Sequence, residues 1–183
     1  MTLPILQASI TPASLSVTGL TANNKVYDGT TAASLSGTAA LLGSICTGDV
    51  VSLSGTPTGN FDNKHVGSGK SVTVSGLSLT GADADNYTLT LPILQASITP
   101  ASLNVTGLTA NNKVYDCSTA ATLSGSATLT GVVAGDDVTL SGTPSGAFAD
   151  KNVGSNKSVA VTGLSISGAD AGNYTLTLPI LQA

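Results

Sequence analysis

At 183 residues the chain is long enough for one domain or two, and it is poor in charge: 9% of its residues are charged and its net charge is −4. It has no Arg, no Glu and no Trp, and all ten acidic residues are Asp. Without a basic patch to neutralise phosphates the composition argues against nucleic acid as a partner, and a hydrophobic content of 41% is too high for a disordered chain.

The first segment, Thr2-Leu-Pro-Ile-Leu-Gln-Ala8, follows Met1 without the charged start of a signal peptide. It returns at Thr90–Ala96 and again at Thr177–Ala183. Residues 1–9 are therefore expected to be the tail strand of a preceding copy, and the chain a piece of a longer array with Met1 as a start-codon remnant. No apolar run approaches the roughly 20 residues a helix needs to cross a bilayer, so no membrane insertion is expected.

From Ile10 the chain runs through a module that begins again at Ile98. The offset is 88 up to Gly43 and 87 from Gly48 onward, so the second copy lacks one residue between Gly43 and Gly48. Residues 10–42 and 98–130 share 26 of 33 positions, and residues 48–95 and 135–182 share 35 of 48. The chain thus divides into repeat 1 (10–97) and repeat 2 (98–183). No flexible linker lies between Ala96 and Ile98, so closely abutting modules are expected.

Within a copy the apolar period is two. Leu15 and Val17, Val51 and Leu53, Val72 and Val74, and Tyr87, Leu89 and Leu91 alternate with Ser and Thr. Turn residues separate these runs at Asn23-Asn24, Gly55-Thr-Pro-Thr-Gly59, Gly67-Ser-Gly69 and Gly81-Ala-Asp83. The pattern predicts an all-β fold of two tandem β-sandwich modules, each of about seven short strands. Gly168-Ala-Asp-Ala-Gly-Asn-Tyr174 resembles the corner of immunoglobulin-like domains where a Tyr hydroxyl bonds back to the chain. A β-grasp-type sheet and a β-solenoid are the alternatives.

The segments Lys25-Val-Tyr27-Asp28-Gly29-Thr-Thr-Ala, Phe148-Ala-Asp-Lys-Asn-Val-Gly154 and Gly168–Leu176 resemble the YDG-type repeats of large bacterial surface proteins, including filamentous-haemagglutinin-like adhesins. The resemblance spans both copies. It implies an extracellular array on the bacterial cell surface that extends an adhesive tip, with no catalytic residues to carry over. Tyr27 and Asp28, Tyr115 and Asp116, and the corner residues Tyr87 and Tyr174 are the structural motif positions. Two departures stand out: the motif Gly is Cys117 in the second copy, and Phe61-Asp-Asn-Lys-His65 scrambles Phe148-Ala-Asp-Lys-Asn152.

Candidate chemistry is sparse. His65 is the sole histidine, and repeat 2 has Asn152 there. Asp28/Asp116, Asp49/Asp136 and Asp83/Asp170 recur, but without the dense spacing of a calcium loop, so turn capping is expected of them. Lys25 beside Asn24 and Asp28 invites a Lys–Asn crosslink, although neighbours on a strand point to opposite faces. The six aromatics are expected in the core. Asn86, Asn104, Asn156 and Asn173 sit in Asn-x-Ser/Thr sequences.

Cys46 falls in the insertion of repeat 1 and Cys117 replaces the Gly29 equivalent. A coordinated pair is expected to form a disulfide joining the copies, with a β-region φ at Cys117 unless the bridge holds strain. No nucleophile is paired with a base and no metal-ligand set is present, so neither an enzyme nor a cofactor is expected. The chain is expected to be a monomer whose partners are neighbouring repeats. It would serve as a spacer, or, alternatively, as a module binding host glycan or protein through the variable loop Gly59–Lys70.

Overall fold

The computed structural model describes residues 7–183, so most of the tail strand expected at 1–9 lies outside the described residues. The described chain is all-β and falls into two units. The first runs to Lys25 and adds Thr31–Asn63 and Gly67–Ser97; the second comprises Val26–Thr30, Lys64–Val66 and Ile98–Ala183. The division does not follow the sequence repeat. Two short loops of repeat 1 belong to the second unit.

Eight strands cover repeat 1: β1 (Ala13–Ala22), β2 (Lys25–Val26), β3 (Ala32–Ala33), β4 (Leu35–Leu42), β5 (Ser52–Phe61), β6 (Gly67–Thr80), β7 (Tyr87–Thr90) and β8 (Ile93–Thr99). They form one sheet in the order β4-β1-β7 and another in the order β2-β8-β6-β5-β3. β1 is antiparallel to β4, but its first half pairs in parallel with β7, from Ala13↔Tyr87 to Ser16↔Thr90. The β1–β4 register slips between Thr18 and Leu20. There Gly19 (φ 84°) and Gly37 (φ 93°) face each other so closely that a Cβ on Gly37 would lie 2.1 Å from the Gly19 carbonyl oxygen.

The alternating apolar residues of the two sheets meet in one cluster. Val17 and Leu20 of β1 and Val74 of β6 are buried, with Leu35, Leu53, Leu77 and Leu89 packed against them. Removing such side chains from water stabilises the fold by roughly 1.5–3 kcal/mol each. The Ser and Thr between them stay at the surface, where their hydroxyls pair across strands, as in Thr58–Ser75 at 2.9 Å.

Repeat 2 supplies β9 (Ala101–Ala110), β10 (Ala120–Ala121), β11 (Leu123–Thr130), β12 (Thr139–Phe148), β13 (Ser158–Ser167), β14 (Tyr174–Thr177) and β15 (Ile180–Gln182). Its sheets run β11-β9-β14 and β10-β12-β13-β15, with β14 parallel to β9. Val105, Leu108 and Val161 form the matching core. Lys113–Val114, one period after β2, is not a strand. A 3₁₀ turn precedes each of β7 and β14, at Ala84–Asn86 and Ala171–Asn173. No helix among the described residues is long and apolar enough to cross a membrane.

Candidate functional site

A buried polar arrangement lies in the second unit around Asp136, whose side chain is 2% exposed. The loop before β12 carries it, and three donors converge on its carboxylate. Tyr27 Oη donates to Oδ2 at 2.7 Å, Tyr174 Oη donates to Oδ2 at 2.6 Å, and Lys64 Nζ donates to Oδ1 at 2.8 Å. The two tyrosine rings meet edge to face at 5.3 Å, and Lys64 Nζ lies 5.9 Å from the Tyr27 ring centre. Val133 N–H donates to Tyr174 Oη at 3.0 Å, which fixes the phenol from its other side. Beside this group the Val66 N–H donates to Oδ1 of the buried Asn173 at 3.1 Å.

The electrostatics follow from the geometry. The Lys64 ammonium, and after it the Tyr174 hydroxyl, hold the Asp136 carboxyl down to about 2. Burial and then the bond to Asp136 push the Tyr174 phenol up to about 12. Burial likewise raises Tyr27, and the bond to Asp136 raises Lys64. A carboxylate with all its donors in place is a structural acceptor, neither a base poised for a substrate nor an open ligand for a metal. No group of three or more His, Cys, Asp or Glu among the described residues could hold a metal ion.

Among the described residues the first unit carries the same loop with fewer partners. Tyr87 Oη donates to Asp49 Oδ2 at 2.7 Å and accepts from the Cys46 N–H at 2.9 Å. The Cys46 amide lowers the Tyr87 phenol, but Asp49 and burial outweigh it and raise the phenol to about 12. Cys46 therefore occupies the place of Val133. The carbonyls agree: Asp49 N–H donates to Cys46 O at 3.0 Å and Asp136 N–H to Val133 O at 3.1 Å. The extra residue of repeat 1 thus lies before Cys46.

The motif residues separate by role. Tyr27, Tyr87 and Tyr174 are buried, whereas Tyr115 is 52% exposed and Phe148 half-buried, against the expectation that every aromatic sits in the core. The hydroxyls of Tyr87 and Tyr174 do bond back to the chain, but 38 to 41 residues upstream. Asp28 and Asp116 fold their own turns, accepting from Thr30 N–H and Ser118 N–H at 2.9 Å each. Lys25 Nζ lies 5.6 Å from the centre of the Phe61 ring, and Lys113 Nζ lies 5.5 Å from that of Phe148. Asn173 is too buried and engaged to serve as a glycan acceptor.

Cys46 and Cys117 are both free and exposed, so the structure does not form the expected bridge between them. The backbone expectation is also corrected. Cys117 has φ 65°, in the left-handed region, as Gly29 does at 77°. The Asp116–Ser118 turn imposes that conformation whichever residue occupies its centre.

Of the variable loop Gly59–Lys70, the part Lys64–Val66 is engaged by Asp136 and Asn173. The counterpart loop of repeat 2 borders an open groove of about 630 Å³ lined by Asn112, Val114, Tyr115, Val153 and Asn156 among others. In the first unit Ser97 occupies the matching place: its N–H donates to Asn24 Oδ1 at 2.7 Å and its Oγ accepts from Gly69 N–H.

These features define a tandem all-β repeat protein whose fixed points are the Tyr–Asp loops. The chain belongs to the YDG domain family, which matches it at residues 11–94 and again at 99–180. Comparisons with curated proteins and with solved structures return no match.

Proposed function

We propose that the chain is a pair of spacer repeats from the stalk of a secreted or surface-anchored bacterial adhesin of the filamentous-haemagglutinin-like kind. Its task is to extend a distal adhesive region, and it has no catalytic role. The observation that supports this most is the Asp136 cluster, where polar chemistry is spent on holding loops of one repeat in the unit built by the next. Serine- and threonine-covered strands and near-identity of the copies fit the same role, in which reach comes from repetition. Single-molecule extension tests it. Two unfolding events of similar length at similar force are expected, and a featureless low-force extension would overturn the spacer reading.

The groove beside Tyr115 favours a second reading, a module binding host glycan or protein. Binding of a glycan or host protein by the isolated chain, lost on replacing Tyr115→Ala, would establish it. No binding across a broad glycan array would count against it.

A further inference from the structure

One seat in the second unit is filled, and among the described residues the equivalent seat in the first unit is empty of the same loops. Tyr27 is 3% exposed, whereas its counterpart Tyr115 is 52% exposed. Val153, one period after Val66, is 88% exposed, as is Val114. At the start of repeat 1 Ile10 is fully exposed, whereas its counterpart Ile98 is 1% exposed. The repeat 2 counterparts of the filling loops are thus at the surface, and so is Ile10 in repeat 1.

We infer that this chain docks head to tail on a second copy of itself, and that the contact places Cys117 of one copy against Cys46 of the next for a disulfide. In this contact Tyr115 and Lys151 take the roles of Tyr27 and Lys64. Asp49 and Tyr87 of the second copy take those of Asp136 and Tyr174. Ser9–Thr11 of the second copy runs into the groove at Asn112, as Ser97 does at Asn24.

The cysteine geometry is carried by the filled seat. A Cβ placed on Gly29 lies 3.9 Å from Val133 Cβ. Cys117 stands at the Gly29 position with nearly the same φ, and Cys46 makes the backbone bonds of Val133. The separation falls within the roughly 3.5–4.5 Å that a disulfide needs between Cβ atoms. Each thiol is solitary within its own repeat, and the contact between copies supplies its partner. The two thiols lose two protons and two electrons to a disulfide oxidant such as oxidised glutathione, which leaves as two reduced thiols through a mixed disulfide.

The test uses the full chain and the single variants C46S and C117S in oxidised glutathione. The unsubstituted chain should give a ladder of oligomers on a non-reducing gel, reversed by thiol, with the Cys46–Cys117 peptide pair in the digest. Each variant alone should stay monomeric, and an equimolar mixture should give a dimer and nothing larger. Tyr115→Ala in the C46S partner should slow that dimer about tenfold, the loss of one well-packed contact. A monomer holding an internal bridge would overturn the inference, as would dimers from C46S or C117S alone. A mixture whose rate ignores Tyr115→Ala would overturn the docking contact. Retention of a glycan in the groove, with no ladder, would assign the groove to a small ligand instead.

Discussion

Asp136 gathers three side-chain donors onto one buried carboxylate. Replacing Tyr27→Phe removes a hydrogen bond to a charged, buried acceptor and should lower the stability of the second unit by about 1.5–3 kcal/mol, measured by denaturant unfolding. The pH response has a definite sign. The Asp136 carboxyl is depressed from 3.8 to about 2, so its stabilisation is full above about pH 4 and is lost as pH falls towards 2. Tyr174 and Lys64 are raised, so their contribution is full below about pH 10 and is lost as pH rises past it. A thermal melt across pH should show a plateau between those limits. In Asp136→Asn the acid limb should flatten. A backbone test sits at the motif turn: Cys117→Gly should gain up to about 1 kcal/mol by relieving left-handed strain. Gly29→Ala should be destabilising, since its Cβ would meet Val133 Cγ1 at 2.8 Å. Sequence spacing made Asp28 and Asp116 legible as turn residues. It could not reveal the partners of Asp136, because its donors lie 38, 72 and 109 residues away and no local pattern marks them.

The strands were the most legible elements, because alternation of Leu and Val with Ser and Thr follows directly from the two faces of a pleated sheet. The parallel pairing of β1 with β7 was not legible. It depends on which edge of β1 remains free after β4 has paired, and periodicity carries no information about that. The facing glycines at 19 and 37 mark a register slip within the β1–β4 pairing, beyond the Ala13–Ser16 stretch that also pairs with β7. Gly37→Ala would bring a Cβ to 2.1 Å from the Gly19 carbonyl oxygen, so the first unit must shift its strands or fail to fold. Amide exchange in β1 and β4 should rise in that variant, while β9 and β11 keep their protection.

At the scale of the molecule, the repeat was plain in the sequence, but the unit boundary was not. Identity counts locate where copies start; they do not say which copy's hydrophobic and polar groups satisfy a given loop. The second unit consequently takes Val26–Thr30 and Lys64–Val66 from repeat 1. Calorimetry should therefore separate the effects of two matched substitutions. Asp136→Asn should lower one transition substantially, because it disturbs three donors. Asp49→Asn should lower the other by less, because among the described residues Tyr87 is its one side-chain donor.

The borrowed loops also bear on synthesis. Tyr27 and Lys64 emerge from the ribosome before the residue that satisfies them, and Asp136 follows 109 and 72 residues later. Likewise Ala13 waits for Tyr87 before β1 has both its neighbours. A nascent repeat is therefore a growing end with uncovered tyrosine and lysine side chains, finished by its successor rather than by its own last strand. Translation order then gives the assembly a direction, because maturation can only trail behind elongation.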